Sequence, residues 1–424
     1  MKEWLQITAN DGLLPAYITL PDSKSLKNRV LMLNAYVGVL DHSEDPADSG
    51  DTLLLKRCLR QLAEAHGEET VIDCQNAGTV FRFLLSFVAH HPGRWVLTGD
   101  ARMLQRPVSP LVEALRRLGA KIDYSGRVGF PPLRITGNPL HSGEIMADAS
   151  VSSQFISSLL LLAPSLSHGL TVHCSDTVVS ESYIRMSVGL LQEAGIHVTQ
   201  TQNTLVVAPG HPRCENLTME ADWSSAAFFY AFAACSTNAV LHLQGLKPPD
   251  QSLQGDSAVA SIYRHFGVNT TVYEQGVIIS RESERKMAAT FQFDMRSTPD
   301  LALPLAVTMV SLGLEATLLG IHHLRFKETD RIEALIHEIA ALGGYTEYRD
   351  GVLSLHPSVL KAFRPVYTYN DHRMAMAFTP LALVTHSIGI VNPSVVEKSF
   401  PHFWTEVKKL GFRIQLKKPG CASR

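Results

Sequence analysis

Five stretches, LVEALRRLGAKI (111–122), SVGLLQEAGIHV (187–198), VASIYRHFGVNT (259–270), ALIHEIAALGGYTE (334–347) and FWTEVKKLGFRI (403–414), share one design. In each, apolar residues recur every three or four positions, a glycine ends the run and a strand-like segment follows, which is the pattern of an amphipathic helix closed by a glycine. The glycines, Gly119, Gly195, Gly267, Gly343 and Gly411, lie 68 to 76 residues apart. A second series leads from polar residues directly into a small, apolar run: KNRVLMLNAY (27–36), GTVFRFLLSF (78–87), SSQFISSLLLLAP (152–164), SSAAFFYAFAA (224–234), PDLALPLAVTM (299–309) and HRMAMAFTPLAL (372–383). Counted from Asn28, Gly78, Ser152, Ser224, Asp300 and Arg373, its intervals are 72 to 76 residues, except the first, which is 50. Two independent series with one period predict about six copies of a strand and helix unit, longer than ordinary solenoid repeats.

Each unit then carries one helix that is apolar nearly all round, and so buried, and one that lies on the surface. A buried helix must satisfy its first four backbone N–H groups, and its N-terminus carries roughly half a positive charge. Polar residues crowd these starts: Lys24, Ser25 and Arg29; Asn76, Gly78 and Arg82; Ser152, Ser153 and Gln154; Asp222, Ser224 and Ser225; Asp300; and Asp371, His372 and Arg373. Capping explains the serines, aspartates and asparagine. It does not explain lysine or arginine, which the like polarity of a helix N-terminus opposes, unless an anion sits between them.

The composition bounds what the anion can belong to. The 424 residues are 45% hydrophobic and 18% charged, which excludes a disordered or fibrous chain and suggests two or three domains. Lys plus Arg number 38 against 40 Asp plus Glu, a net charge of −2, so no global positive field draws in nucleic acid or anionic lipid. Any anionic ligand must be held locally. No two glycines flank a single residue and no glycine precedes lysine, which excludes GxGxxG and the P-loop, and HExxH is absent. The six cysteines form no CxxC pair and sit in no zinc-ligand spacing with histidine, the pattern of reduced thiols in a cytoplasmic protein. The N-terminus lacks the pattern of a secretion signal. The most apolar stretch, Leu301 to Leu314, is too short for the ~20 residues of a membrane span and contains proline, so it reads as a buried helix.

In order along the chain stand SKSLKNR (23), NAGTVFR (76), GDARMLQRP (99), VSSQF (151), SESY (180), ADWSSA (221), QGD (254), PDLAL (299), KETDR (327), YNDHRMAM (369) and EKSFP (397). With these motifs the sequence resembles the 5-enolpyruvylshikimate-3-phosphate synthases of the enolpyruvyl transferase family, over almost its whole length. The resemblance implies an α/β fold: a two-domain inside-out barrel of six βαβαββ repeats with helix N-termini directed at the interdomain cleft. One discontinuous domain, 1–20 and 222–424, would carry both termini, 21–221 would form the second, and the chain would cross near 20–24 and 219–223. The implied reaction transfers the carboxyvinyl group of phosphoenolpyruvate to the 5-hydroxyl of shikimate 3-phosphate, releasing phosphate, in the shikimate pathway to chorismate and the aromatic amino acids. Neither cofactor nor metal is implied, nor nucleic acid or membrane as partner, and a cytoplasmic monomer is expected.

Carried over by motif, Lys24, Gly78, Arg106, Gln154, Arg331, Arg373 and Lys398 would hold phosphoenolpyruvate, since guanidinium groups grip phosphate or carboxylate through two parallel N–H bonds. Lys24, Ser25, Arg29, Ser152, Ser153, Gln154, Ser180, Tyr183, Asp300 and Lys327 would hold shikimate 3-phosphate. Asp300 is expected to take the hydroxyl proton, Glu328 to protonate the methylene carbon, and Lys24 to serve the bridging oxygen. Read without the resemblance, Asp300 is an N-cap, Glu328 one half of a surface ion pair and Arg82 a brace for its loop.

Four residues depart from the family pattern. Asp22 stands where glycine is usual, and either weakens substrate binding or pairs with a nearby cation. His323 replaces asparagine, Phe83 replaces proline and Ala221 replaces glycine, and the short first interval implies a trimmed unit. Two alternatives stand beside this reading. A UDP-N-acetylglucosamine enolpyruvyl transferase would carry a reactive cysteine where this chain has GDARMLQRP. A non-catalytic, nucleic-acid-binding repeat relative would need a basic inner surface.

Overall fold

The computed structural model describes residues 3–418 apart from 11, 66, 149–151, 176–178, 216, 218, 283–287, 289 and 362. Cys421 lies outside the described residues.

The repeat takes a fixed order: a strand, the buried helix, a second strand parallel to the first, the amphipathic helix, and a hairpin that returns antiparallel to the second strand. One copy runs through strand Thr70–Asp73, helix Gly78–His90, strand Gly93–Thr98, helix Ser109–Arg117 and hairpin Lys121–Tyr124 with Leu133–Gly137. Thr70–Asp73 pairs parallel with Trp95–Thr98, and Leu133–Gly137 pairs antiparallel on its other side. Alternation follows from the pleat: Leu133 and Ile135 are buried while Arg134 and Thr136 face out. The same order appears in the sheets containing Leu170–Cys174, Val240–Gln244, Glu315–Leu319 and Ser387–Val391. In the last of these the closing strand is Trp4–Thr8 from the other end of the chain, between Ser387–Val391 and Arg413–Lys417.

Each of the five glycines that end the amphipathic runs has positive φ, between 79° and 97°, the left-handed geometry that lets a helix stop there. The apolar runs form the helices Lys24–Tyr36, Gly78–His90, Ser153–Leu162, Trp223–Cys235, Ala302–Ser311 and His372–Phe378. Three have the expected side-chain caps: Ser152 accepts from Gln154 N at 3.3 Å, Asp222 from Ser225 N at 2.9 Å and Asp371 from Arg373 N at 2.9 Å. No described helix is long and apolar enough to cross a membrane.

Six sheets are expected and five four-stranded sheets are present among the described residues. The first unit keeps its buried helix, Lys24–Tyr36, and an amphipathic helix, Gly50–Ala63, but has no sheet. Its 50-residue interval leaves no room for the strands, so residues 37–49 connect the helices directly. Charge secures that connection: Lys56 Nζ lies 2.7 Å from Asp41 and 2.8 Å from Asp48, and Lys27 Nζ lies 2.6 Å from Asp48 and 2.9 Å from Asp22. Asp48 and Lys56 are both buried, where a pair persists only because each charge has its partners.

Buried apolar side chains form two clusters. One contains Ile7 to Leu20 and Ala221 to Phe412, the other Leu26 to Cys214. Where the chain passes between them the two passages lie side by side: Asp22 bridges Ala221 antiparallel, Ser23 N donates to Glu220 O and Asp222 N to Pro21 O, both at 2.9 Å. Asp22 thus turns to Lys27 on the solvent side rather than into the cleft.

Candidate active site

Between the clusters, the N-terminal ends of the buried helices meet at a cleft. Lys24, Ser25, Arg29, Asp51, Gly78, Thr79, Arg106, Ser152, Ser153, Gln154 and Tyr183 line one wall, and Asp300, Lys327, Glu328, Arg331, His372 and Arg373 the other. Six basic side chains face three carboxylates there, a local positive excess in a chain whose net charge is −2. Of the residues expected from sequence, Ser180 and Lys398 sit beside this lining. Ser180, at φ 57°, lines a smaller adjoining cavity with Arg106, Gln154, His323 and Lys327. Lys398 Nζ donates to Asn76 O at 2.7 Å across the cleft and lies 3.7 Å from Glu328.

Arg331 organises the carboxylates. It is 1% exposed, and its guanidinium meets Asp371 through Nε at 2.8 Å, Asp300 through Nη1 at 3.0 Å and Glu328 through Nη2 at 2.9 Å. Asp300 also accepts from Tyr183 Oη and Arg373 Nη2, each at 2.7 Å. Burial alone would raise its pKa, but Arg373, Lys327 and Arg331 outweigh that and hold the carboxyl far below the usual range. Glu328 is likewise resisted by burial, yet Arg331, Lys398 and Arg106 keep it ionised. Burial and the neighbouring lysine push His323 down to about 3, so this departure from the family presents a neutral ring.

Other expected residues serve each other. Arg29 gives four of its five N–H donors to Ser187, Ser25 O, Ser157 and Tyr183 O, and its guanidinium lies 5.4 Å from the Phe83 ring centre, which gives that departure a packing role. Arg82 braces Gly78 O, Pro107 O and Gln154, while Gln154 Nε2 reaches Thr79. Lys24 pairs with Asp51 at 3.1 Å, and Lys398 lies 3.9 Å from the same carboxyl.

Asp51 and Thr79 were not legible as site residues. Asp51 looks like an ordinary acid in the first turn of an amphipathic helix, and nothing in GDTLLLK signals a lysine partner 27 residues earlier. Asp256, in the QGD motif, is buried against Ser224, and burial together with Asp300 pushes its pKa up to about 7.

Gly78 is required by space. A Cβ there would lie 2.4 Å from both Arg82 Nη1 and Arg106 Nη2, and neither buried arginine can swing into solvent. Gly78→Ala is expected to cost about 1–3 kcal/mol of site geometry, read as a ~10- to 100-fold rise in KM for the ligand of Arg106. Steady-state kinetics measure it, and an unchanged KM refutes the packing argument.

Comparison with known proteins places this geometry. The family described as EPSP synthase (3-phosphoshikimate 1-carboxyvinyltransferase) matches residues 10–407. A 3-phosphoshikimate 1-carboxyvinyltransferase of Bacteroides fragilis is 38% identical over 407 residues, covering 95% of this chain and 97% of its own. One from Methanoculleus marisnigri is 33% identical, covering 93% and 96%. Among solved structures, an EPSP synthase from Acinetobacter baumannii superposes with a TM-score of 0.74 at 22% identity, covering 98% of this chain and 100% of that one. The enolpyruvyl transferase NikO from Streptomyces tendae gives 0.72 at 14% identity, covering 98% and 99%. With its motifs spread over both walls of the cleft and relatives of this identity along nearly its full length, the chain belongs to the EPSP synthase family.

Proposed function

We infer that this chain transfers the carboxyvinyl group of phosphoenolpyruvate to the 5-hydroxyl of shikimate 3-phosphate and releases phosphate. The observation that carries the reading is the convergence of Lys24 and Arg106 from one wall with Lys327, Arg331 and Arg373 from the other around Asp300 and Glu328. Two substrates that together bear two phosphates and two carboxylates match a cleft with this excess of cations.

In this reading Arg106, Arg331, Arg373 and Lys398 hold phosphoenolpyruvate beside Gly78 and Gln154. Ser25, Arg29, Ser152, Ser153, Ser180, Tyr183 and Lys327 hold shikimate 3-phosphate, the serines through hydroxyls and helix N-terminal N–H groups. Asp300 takes the 5-hydroxyl proton as that oxygen bonds to C2 of phosphoenolpyruvate, and Glu328 gives a proton to C3. Phosphate then leaves from C2, with Lys24 at the bridging oxygen, and a proton lost from C3 restores the double bond. The two apolar clusters support a division into domains of 1–20 with 222–424 and of 21–221. The protein acts as a monomer in the cytoplasm, on small molecules alone.

Phosphate release tests the substrates. Turnover is expected with phosphoenolpyruvate plus shikimate 3-phosphate and not with phosphoenolpyruvate plus UDP-N-acetylglucosamine. Turnover with the nucleotide sugar alone overturns the assignment.

A further inference from the structure

We propose that Arg102 is a positioning residue that fastens the catalytic segment of one wall from the other. Arg102 lies outside the cleft lining and makes no bond to the residues proposed to hold substrate through their side chains. Its Nε donates to Lys327 O at 3.1 Å and its Nη2 to Arg325 O at 2.8 Å, more than 220 residues along the chain. These are main-chain carbonyls at the end of the 3-10 turn His322–Phe326, where helical acceptors run out of intrahelical donors and carry partial negative charge. One edge of a guanidinium offers two parallel N–H groups at fixed spacing, so a single side chain satisfies both.

Arg102 is itself held. Asp100 Oδ1 accepts from Arg102 N at 3.0 Å and Met103 N at 2.8 Å, which sets the turn that also delivers Arg106 into the cleft. The grip is reinforced one residue further along, where Asn76 Nδ2 donates to Glu328 O at 3.4 Å. The backbone that carries Lys327 and Glu328 is therefore oriented by donors from the opposite wall. Those bonds exist only while the walls are together, so an open cleft leaves the backbone of Lys327 and Glu328 without these donors and the Glu328 carboxylate held from its own wall alone, and turnover is confined to the closed form.

The inference rests on the reaction proposed above, and two readouts separate the failure of one from the failure of the other. Hydrogen exchange of amides 325–331 needs no substrate: Arg102→Ala is expected to speed exchange there at least tenfold over the unsubstituted protein, with the unfolding midpoint unchanged. Kinetically, Arg102→Ala should lower kcat at least tenfold, more than it raises the dissociation constant for shikimate 3-phosphate through Lys327, and Arg102→Lys, which supplies one donor centre in place of two, should recover only part. Unchanged exchange, a kcat within twofold of the parent, or full recovery by lysine overturns the proposal. A parent inert toward shikimate 3-phosphate would sink the substrate assignment, and the exchange experiment would still decide the role of Arg102.

Discussion

Replacing Glu328 by glutamine is expected to lower kcat by about 10² to 10⁴ while leaving shikimate 3-phosphate affinity within a few-fold of the parent. The substitution keeps size and the hydrogen-bonding reach to Arg331, 2.9 Å away, and removes the negative charge together with the ability to hold and give a proton. The electrostatics explain why the loss should fall on turnover. Without an anionic ligand, Arg331, Lys398 and Arg106 hold this carboxyl well below the usual range, so it is ionised and has no proton to donate. In the proposed reading phosphoenolpyruvate brings negative charge to those same three cations, which would raise the carboxyl's pKa at the moment a donor is needed. A group that donates in the complex makes kcat fall as pH rises through its bound-state pKa, and that limb should disappear in Glu328→Gln. Binding by titration calorimetry and a pH profile of phosphate release measure both parts. Near-parental turnover in the variant removes Glu328 from the reaction.

How much of this was open to reading from sequence depends on whether a residue's partner is local. The buried helices and their starts were legible because capping and apolar runs are written within a few residues, as at Ser152 and Asp371. Spacing also exposed the shortened first unit, but the interval could not say that its sheet was what had gone, because either helix could have been cut instead. The closing strand Trp4–Thr8 was hidden for a similar reason: its neighbours come from 387–391 and 413–417, and no pattern near the N-terminus names them. In the cleft, Arg331 of KETDR and Arg106 of GDARMLQRP were singled out from their motifs, whereas Arg102, in the second of these, was not, since its acceptors are backbone carbonyls that any sequence supplies. Asp22 left two possibilities at the level of sequence, and a lysine one turn into the helix resolves them.

The second large effect should come from Arg331, and stability and activity should respond together. Three carboxylates, those of Asp371, Asp300 and Glu328, converge on one buried guanidinium. Arg331→Met removes the shared partner and leaves Asp371 fully buried and Asp300 and Glu328 largely so, at a cost of about 3–5 kcal/mol in unfolding free energy. The sign of the pH dependence follows. In the parent, Glu328 has a folded pKa below its unfolded value, so its contribution is present above the unfolded value and is lost as pH falls through the folded one. Without Arg331, the first of the cations that depress it, burial opposes only Lys398, Arg106 and His372, so the carboxyl moves back toward its unfolded value and the contribution shrinks. The gap in unfolding midpoint between parent and variant should therefore be wider at about pH 7 than at about pH 3. For activity, loss of the desolvated cation proposed to pair with phosphoenolpyruvate should lower kcat/KM for that substrate on the order of 10³-fold. Arg331→Lys restores the charge but not three donors in one plane, so it should recover stability better than catalysis. A gap in midpoint that narrows from about pH 3 to about pH 7, or lysine that restores full kcat/KM, would show that the guanidinium's geometry is not what holds the acids and the ligand in register.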